Sequence, residues 1–196
     1  AKEKGKNRHI IYEERLHGKL ETDDMQNMAM AYAVSKEKKR EAITEMITEL
    51  CVSGVNAIVK SEERLQQIRS LFDLDGITVF SDRGNRLVCR NGNYMAEAPD
   101  GRLGFEDEGY LSLFGDDDIF VESNMIKLRS QNPAAYAVTQ EQEVGAALQC
   151  LSRKEGIPYT MVSFEVFNRN RKWSDKDVTL LTLLGHCIGD LLNYSE

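Results

Sequence analysis

The hydrophobic and polar positions in the last quarter of the chain, from Val144 to Leu192, predict two strands followed by a helix. The run Val144–Leu151 is almost wholly apolar, and Gly156 and Pro158 then give a turn signal. The next run, Tyr159–Phe167, alternates with a period of two, which is typical of a strand whose two faces meet different surroundings. This order predicts two antiparallel neighbouring strands and a connector that leads into the last helix.

The terminal helix has a defined start and an unusually wide apolar surface. Ser174 and Asp177 have the spacing of a capping box, in which the side chains satisfy the first backbone N–H groups. The polar positions that follow form a narrow stripe: Thr179, Thr182, His186, Asp190 and Asn193. A helix that covers one sheet usually keeps a wider polar face. The pattern therefore predicts that this helix buries two sides, the second against the earlier helix Ile43–Ile58 or against another copy of the chain.

The first half of the chain predicts helices followed by a hairpin. A short Met-rich helix starts at Thr22, and the charged segment Lys36–Arg40 is interpreted as a hinge or as the first turn of a long amphipathic helix that ends near Val59. Another helix begins at Ser61. The alternating segments on either side of a polar turn within Ile77–Arg90 then predict a β-hairpin.

The middle of the chain, Asn93 to Gln142, predicts a long loop that holds one short strand at Ile119–Val121. Glycines punctuate its first part, and nine acidic residues but one basic residue lie between Ala96 and Glu122. Long insertions of this kind are commonly functional loops. The triple aspartate Asp116–Asp118 supplies only part of the oxygen shell of a hard cation, so we interpret it as a solvated edge and predict no metal site.

Composition narrows the class of protein. The chain has 196 residues, 41% of them hydrophobic and 29% charged, and its formal net charge is −7. It contains no apolar run of about 20 residues that could span a membrane. It also lacks a basic stripe with interleaved aromatic residues, so direct binding of nucleic acid is not expected. The four cysteines show no metal-ligand spacing, and we interpret them as reduced thiols of a cytoplasmic protein.

The segment VGAALQCLSRKEGIPYTMVSFEVFNRNRKWSDKDVTLLTLLGHCIGDLL resembles the end of a GAF domain, with two long strands, a connector ending in an aromatic residue, and S-x-x-D opening a helix. The helix and hairpin before it resemble the way such domains begin. The resemblance implies an α+β fold, an antiparallel sheet with helices packed on one face. It places a GAF-like sensory domain at residues 35–196 after an N-terminal helical extension at residues 1–34.

In GAF domains the segment that corresponds to the middle of this chain closes over a ligand cavity. The resemblance therefore makes four large side chains of that segment the candidate ligand-binding residues: Phe105, Tyr110, Met125 and Tyr136. Loop residues of this size more often anchor the loop to the core. Neither a ligand nor a cofactor can be named, because the N-K-F-D-E signature of cyclic-nucleotide-binding members and the Cys-His doublet of bilin-binding members are absent.

The resemblance implies a regulatory domain without catalytic residues, which binds a small molecule or a partner and signals through its terminal helix to an attached effector, such as a GGDEF cyclase or a histidine kinase. It also favours a homodimer held by helices. Two alternatives stay open. One is a thiol-based reductase of free methionine sulfoxide, which would use two cysteines that lie close together; Cys89 and Cys150 are one pair that could approach each other across a sheet. The other is the ligand-sensing domain of a transcription regulator.

Overall fold

The structure is a computed structural model that describes residues 22–53, 62–81, 87–90, 93–95, 108–141 and 143–194. The chain divides into two compact units, residues 1–37 and residues 38–196. The domain boundary predicted between residues 34 and 35 stays a prediction. Residues 36–40, which were predicted as a hinge or a first turn, lie inside a helix.

The described helices and strands follow the predicted order with three differences: one continuous helix replaces the short Met-rich helix and the helix after it, and the strand Asn93–Met95 and several short helices are additional. They are α1 (Thr22–Ser53), α2 (Glu62–Phe72), β1 (Gly76–Ser81), β2 (Leu87–Arg90), β3 (Asn93–Met95), α3 (Glu108–Leu111), β4 (Ile119–Glu122), a 3₁₀ turn (Met125–Lys127), α4 (Leu128–Gln131), α5 (Pro133–Glu141), β5 (Val144–Lys154), β6 (Ile157–Phe167) and α6 (Asp175–Tyr194).

The strands form one antiparallel sheet in the order β3-β2-β1-β6-β5-β4. The two longest strands, β5 and β6, have 11 residues each and are joined by a tight turn at Glu155 and Gly156, which both adopt a positive φ. The predicted hairpin is confirmed by the pairing of β1 with β2. The predicted α+β fold with an antiparallel sheet is likewise confirmed.

One face of the sheet carries the larger core. On this face, alternate residues of β1, β5 and β6 pack against α1, α2 and α6. Four fully buried members of this core are Leu50 on α1, Phe72 on α2, Phe164 on β6 and Leu184 on α6. This is the face that the resemblance assigned to helices. The terminal helix does bury two sides, because α1 of the same chain lies in the same cluster as α6 and the sheet. A second copy of the chain is therefore not needed to cover the second side.

The terminal helix lies unusually close to the sheet because it presents glycine to β5 at two positions one turn apart. A Cβ atom at Gly185 would lie 2.6 Å from the Sγ of Cys150, and one at Gly189 would lie 2.2 Å from the Oγ of Ser152. The helix begins as its capping box predicts, with the backbone N–H of Asp177 donating to the Oγ of Ser174 at 3.1 Å.

A cluster of charged and aromatic side chains joins the β6–α6 connector to the rest of the larger core. Arg171 contacts Asp177 at 3.3 Å and lies 4.3 Å from the ring centroid of Trp173. The same Asp177 carboxylate accepts a hydrogen bond of 2.7 Å from Lys39 on α1, and Lys39 lies 4.7 Å from the ring centroid of Phe72 on α2. The start of α6 is thereby held to both α1 and α2.

The opposite face of the sheet carries a second, smaller core, which the sequence did not predict as helical. Short helices α3, α4 and α5 cover this face where a long loop was expected. Their side chains pack on Phe80, Phe120, Leu151 and Met161. Residues 96–107 of the predicted loop lie outside the described residues, and so does the candidate Phe105. Among the described residues no helix is long and apolar enough to cross a membrane.

Candidate functional site

A patch of buried polar side chains lies in the middle of the sheet face that the short helices cover. Four neighbouring strand residues form it, and each is 5% exposed or less: Thr78 on β1, Gln149 on β5, and Ser163 and Glu165 on β6. Strand residues two apart point to the same face, and the register pairs Thr78 and Gln149 with Ser163. The four side chains therefore come together on one face. We call them the polar patch.

A hydrogen-bonded chain crosses the patch. The hydroxyl of Tyr110 on α3 donates to the Oε1 of Gln149 at 2.6 Å, and the Nε2 of Gln149 donates to the Oγ of Ser163 at 3.2 Å. Burial raises the pKa of Tyr110 well above its ordinary value, and the nearby charge of Glu165 adds to the rise. The tyrosine therefore stays neutral and fixes the orientation of the Gln149 amide.

Glu165 is the acidic member of the patch and is 2% exposed. Its Oε2 accepts a hydrogen bond of 3.0 Å from the hydroxyl of Thr78. Gly76, its partner in the register, leaves space for the carboxylate, since a Cβ at that position would lie 2.9 Å from the same Oε2. A buried carboxylate is stable only where hydrogen-bond donors or positive charges compensate its lost hydration. Thr78 supplies one such donor.

Aromatic and aliphatic side chains surround the polar patch. The rings of Tyr110, Phe114 and Phe120 follow one another with centroid separations of 6.0 Å at each step. Met125 and Leu128 are each 1% exposed in the same cluster. An apolar surround with a few convergent polar groups is the usual composition of a small-molecule site.

Three of the four predicted ligand-binding residues lie in this second core. Tyr110 and Met125 are buried there, and Tyr136 is half-buried against it. The anchoring role that was weighed against ligand binding is visible for all three, because each packs a short helix or turn onto the sheet. Their role in binding a ligand stays a prediction, and so does that of Phe105.

The four residues of the polar patch were not among the sequence candidates. The signal for two of them was present, since Ser163 and Glu165 occupy adjacent positions on one face of a long apolar strand. Alternation alone does not distinguish a polar face in solvent from one covered by other elements. The covering helices decide this, and they belong to the segment that was predicted as a loop.

The described cysteines lie away from the polar patch. Cys150 belongs to the larger core on the opposite face, where burial raises the pKa of its thiol to about 12. Cys89 lies on β2, with β1 and β6 between it and β5. Three inter-strand steps amount to about 14 Å, whereas a disulfide needs Cα atoms within about 7 Å. Cys89 and Cys150 therefore do not come within disulfide range of each other across the sheet.

The triple aspartate lies in the turn before β4. Asp118 pairs with Arg153 at 2.8 Å, and the carboxylate of Asp117 accepts a long hydrogen bond of 3.4 Å from the backbone of Ile119. Within the described ranges no cluster of three or more histidine, cysteine, aspartate or glutamate residues could hold a metal ion. Asp117 and Asp118 thereby shape the turn.

Comparison with known proteins shows the fold. No family model matches the sequence, and no curated protein matches it. Among solved structures, the chain is similar to free methionine-R-sulfoxide reductase from Neisseria meningitidis, with a TM-score of 0.53 and 7% identity over 81% of this chain and 90% of that one. It is similar to the NLH2 GAF domain of A. aeolicus, with a TM-score of 0.50 and 12% identity over 83% of this chain and 99% of that one.

A third similar structure is the photosensory core module of the Stigmatella aurantiaca phytochrome, with a TM-score of 0.53 and 16% identity over 78% of this chain. The chain spans 36% of the length of that module and 52% of the length of the chromophore-binding domain of a bacteriophytochrome from the same organism. Identities this low carry information on the fold and not on the ligand. The sheet order, the helix-covered face and these similarities together show that the chain has the GAF-domain fold.

Proposed function

We propose that the chain is a sensory module that binds a small molecule at the polar patch and signals to an attached effector, such as a GGDEF cyclase or a histidine kinase. The observation that carries the proposal is the buried carboxylate of Glu165, in the middle of the sheet face that short helices cover. Among the similar structures, the Neisseria reductase is in complex with its substrate and the Stigmatella module is photosensory, which supports a ligand at this fold.

The chemistry of the patch favours a ligand with a positive charge or several hydrogen-bond donors. Glu165 supplies an acceptor charge, and the hydroxyl of Ser163 can donate or accept. The rings of Phe114 and Phe120 suit a flat apolar body beside that polar group. A protonated amine or amidine on a planar ring meets both requirements, whereas a carboxylate would be repelled by Glu165.

The route from the patch to the terminal helix follows the chain. β6 carries Ser163 and Glu165, and the connector that follows it holds Arg171, whose partner Asp177 lies in the first turn of α6. A ligand that binds more tightly to one position of β6 than to another shifts the equilibrium towards the first position, by its difference in affinity for the two. Because the connector joins β6 to α6, this shift also biases the position of α6.

We propose that the module acts as a homodimer through the outer surface of α6 and that it is cytoplasmic. Leu183 on that surface is 56% exposed, although most apolar side chains of α6 are covered. Leu180, one turn before it, is only half-buried. A paired helix surface would cover both residues and would pass a register shift to an attached effector.

The test of the binding site is a thermal-shift series with pairs of ring compounds that carry an amidine or a carboxylate on the same ring. At least one amidine or amine should raise the melting temperature of the wild type, because a ligand that binds only the folded state stabilises it. The rise should disappear in Glu165→Gln and persist in Glu41→Gln, which removes an equal charge from an exposed position on α1. An equal rise in Glu165→Gln, or a preference for the carboxylates, would refute the proposed chemistry.

A further inference from the structure

Two cysteines that are 136 positions apart in the sequence lie side by side on neighbouring helices. The thiol of Cys51 near the end of α1 lies close enough to the thiol of Cys187 on α6 to add to the rise in the pKa of Cys187. Cys51 is exposed and Cys187 is half-buried, and both are free thiols. No local pattern indicates this pair, because its spacing matches no known cysteine motif.

The placement of the pair follows from the way the two helices run. Lys39 on α1 contacts Asp177 at the start of α6 at 2.7 Å. From these residues Cys51 is twelve positions further along α1 and Cys187 is ten further along α6. At about 1.5 Å per residue these steps are about 18 and 15 Å, so two parallel neighbouring helices bring the cysteines to the same level. Leu50 and Leu184, one and three positions before them, are fully buried in the shared core, which fixes the spacing of the helices.

We propose that Cys51 and Cys187 form a redox-sensitive pair, which a low-molecular-weight disulfide such as glutathione disulfide converts into an intramolecular disulfide that links α1 to α6. The exposed thiolate of Cys51 attacks the small disulfide, forms a mixed disulfide and releases one small thiol. The thiolate of Cys187 then attacks the sulfur of Cys51 and releases the second small thiol. The protein loses two hydrogen atoms, and the small disulfide is reduced to two thiols.

The surroundings of the two thiols assign their roles. Burial raises the pKa of the Cys187 thiol above its ordinary value, and the neighbouring Cys51 and Asp190 add to this. A thiol with a raised pKa is mostly protonated near neutral pH and is a poor first nucleophile. Cys187 is therefore the resolving residue, and Cys51 meets the oxidant. Cys150, which is 1% exposed beneath α6, takes no part.

The consequence of the link is mechanical. A disulfide between α1 and α6 prevents the two helices from sliding past each other, which is the movement through which a helix register change would travel. It also closes a long loop and so restricts the unfolded chain, which should raise the melting temperature by at least about 5 °C. The redox state would then set whether the helix pair can move, independently of any ligand at the polar patch.

The test is to incubate the reduced full chain with glutathione disulfide, alkylate the remaining thiols, and map disulfide-linked peptides by mass spectrometry. We expect a linked peptide pair that contains Cys51 and Cys187, and a monomer mass lower by about 2 Da before alkylation. Cys51→Ser and Cys187→Ser should abolish this pair, whereas Cys150→Ser should retain it. In Cys187→Ser the glutathione should remain attached to Cys51 as a mixed disulfide, which identifies the attacking residue.

Three results would overturn the proposal. The first is a wild-type chain that stops at a stable mixed disulfide on Cys51. The second is a disulfide between the Cys51 residues of two chains, and the third is a linked pair that includes Cys89 or Cys150. Each can be read from the wild-type protein alone, so none depends on a variant that fails to fold.

Discussion

Replacing Gly189 with alanine tests how closely the terminal helix approaches the sheet. In the middle of a helix, alanine is more favourable than glycine by about 1 kcal/mol, so the substitution would stabilise a helix that had free space beside it. Here the added Cβ would lie 2.2 Å from the Oγ of Ser152 and 2.8 Å from its Cβ. Ordinary carbon contacts lie at about 3.5–4.0 Å, so α6 must move away from β5.

The expected size of the effect follows from these opposing terms. Overpacking of this kind costs about 1–3 kcal/mol, and the gain in helix propensity offsets about 1 kcal/mol of it. We therefore expect Gly189→Ala to lower the free energy of unfolding by about 1 kcal/mol. In a helix without the contact the same substitution would raise it by about 1 kcal/mol, so the contact accounts for a difference of about 2 kcal/mol. Urea denaturation measures this, provided that the m-value is unchanged.

A second substitution gives the control. Ser152→Gly removes both of the atoms that the new methyl group would meet, so Gly189→Ala should become stabilising by about 1 kcal/mol in that background. The two substitutions should thus be coupled by about 2 kcal/mol in a double-mutant cycle. If Gly189→Ala stabilises the wild type, or if the two changes are simply additive, the close approach of α6 to β5 is refuted.

Three further outcomes follow from the same structure. Tyr110→Phe should lower the free energy of unfolding by about 1–3 kcal/mol, because it leaves the Oε1 of Gln149 buried without its donor; a loss under 0.5 kcal/mol in urea denaturation would contradict this. The pKa of Cys150 rises from 9.0 to about 12 on folding, so its contribution to stability is full below pH 9 and declines by about 1.4 kcal/mol per pH unit above it. The alkaline slope of stability should therefore be shallower in Cys150→Ala, and equal slopes would argue against its burial. In sedimentation, the wild type should be a dimer and Leu183→Glu a folded monomer. Ile157→Glu, at a residue that is 68% exposed at the start of β6, should remain a dimer; a monomeric wild type would refute the dimer.

The elements whose signals are local could be predicted from the sequence. The strands at Val144 and Tyr159 and the helix after Ser174 were predicted because their periodicity and capping depend on neighbouring residues. The short helices of the middle segment were not. Two of them have four residues and the third has nine, which is too few for a clear amphipathic pattern, and packing against the second face of the sheet stabilises them.

The candidate site was predicted in part for the same reason. Tyr110 and Met125 were singled out as large side chains in an insertion, and both lie in the second core. Glu165 was not among the candidates, because a strand pattern does not show what lies above it. The contact between Cys51 and Cys187 depends on the packing of two helices from opposite ends of the domain, and no local pattern reports it.

Native mass spectrometry of freshly purified protein tests the central claim, that the face around Glu165 is a small-molecule site, most directly. We expect the wild type and Glu41→Gln to retain the same non-covalent small molecule from the expression host or to take up an amidine from the panel. Glu165→Gln, with an unchanged charge-state distribution that shows a folded protein, should retain neither. An adduct that is retained equally by Glu165→Gln, or a wild type that binds neither host molecule nor amidine, would contradict the account.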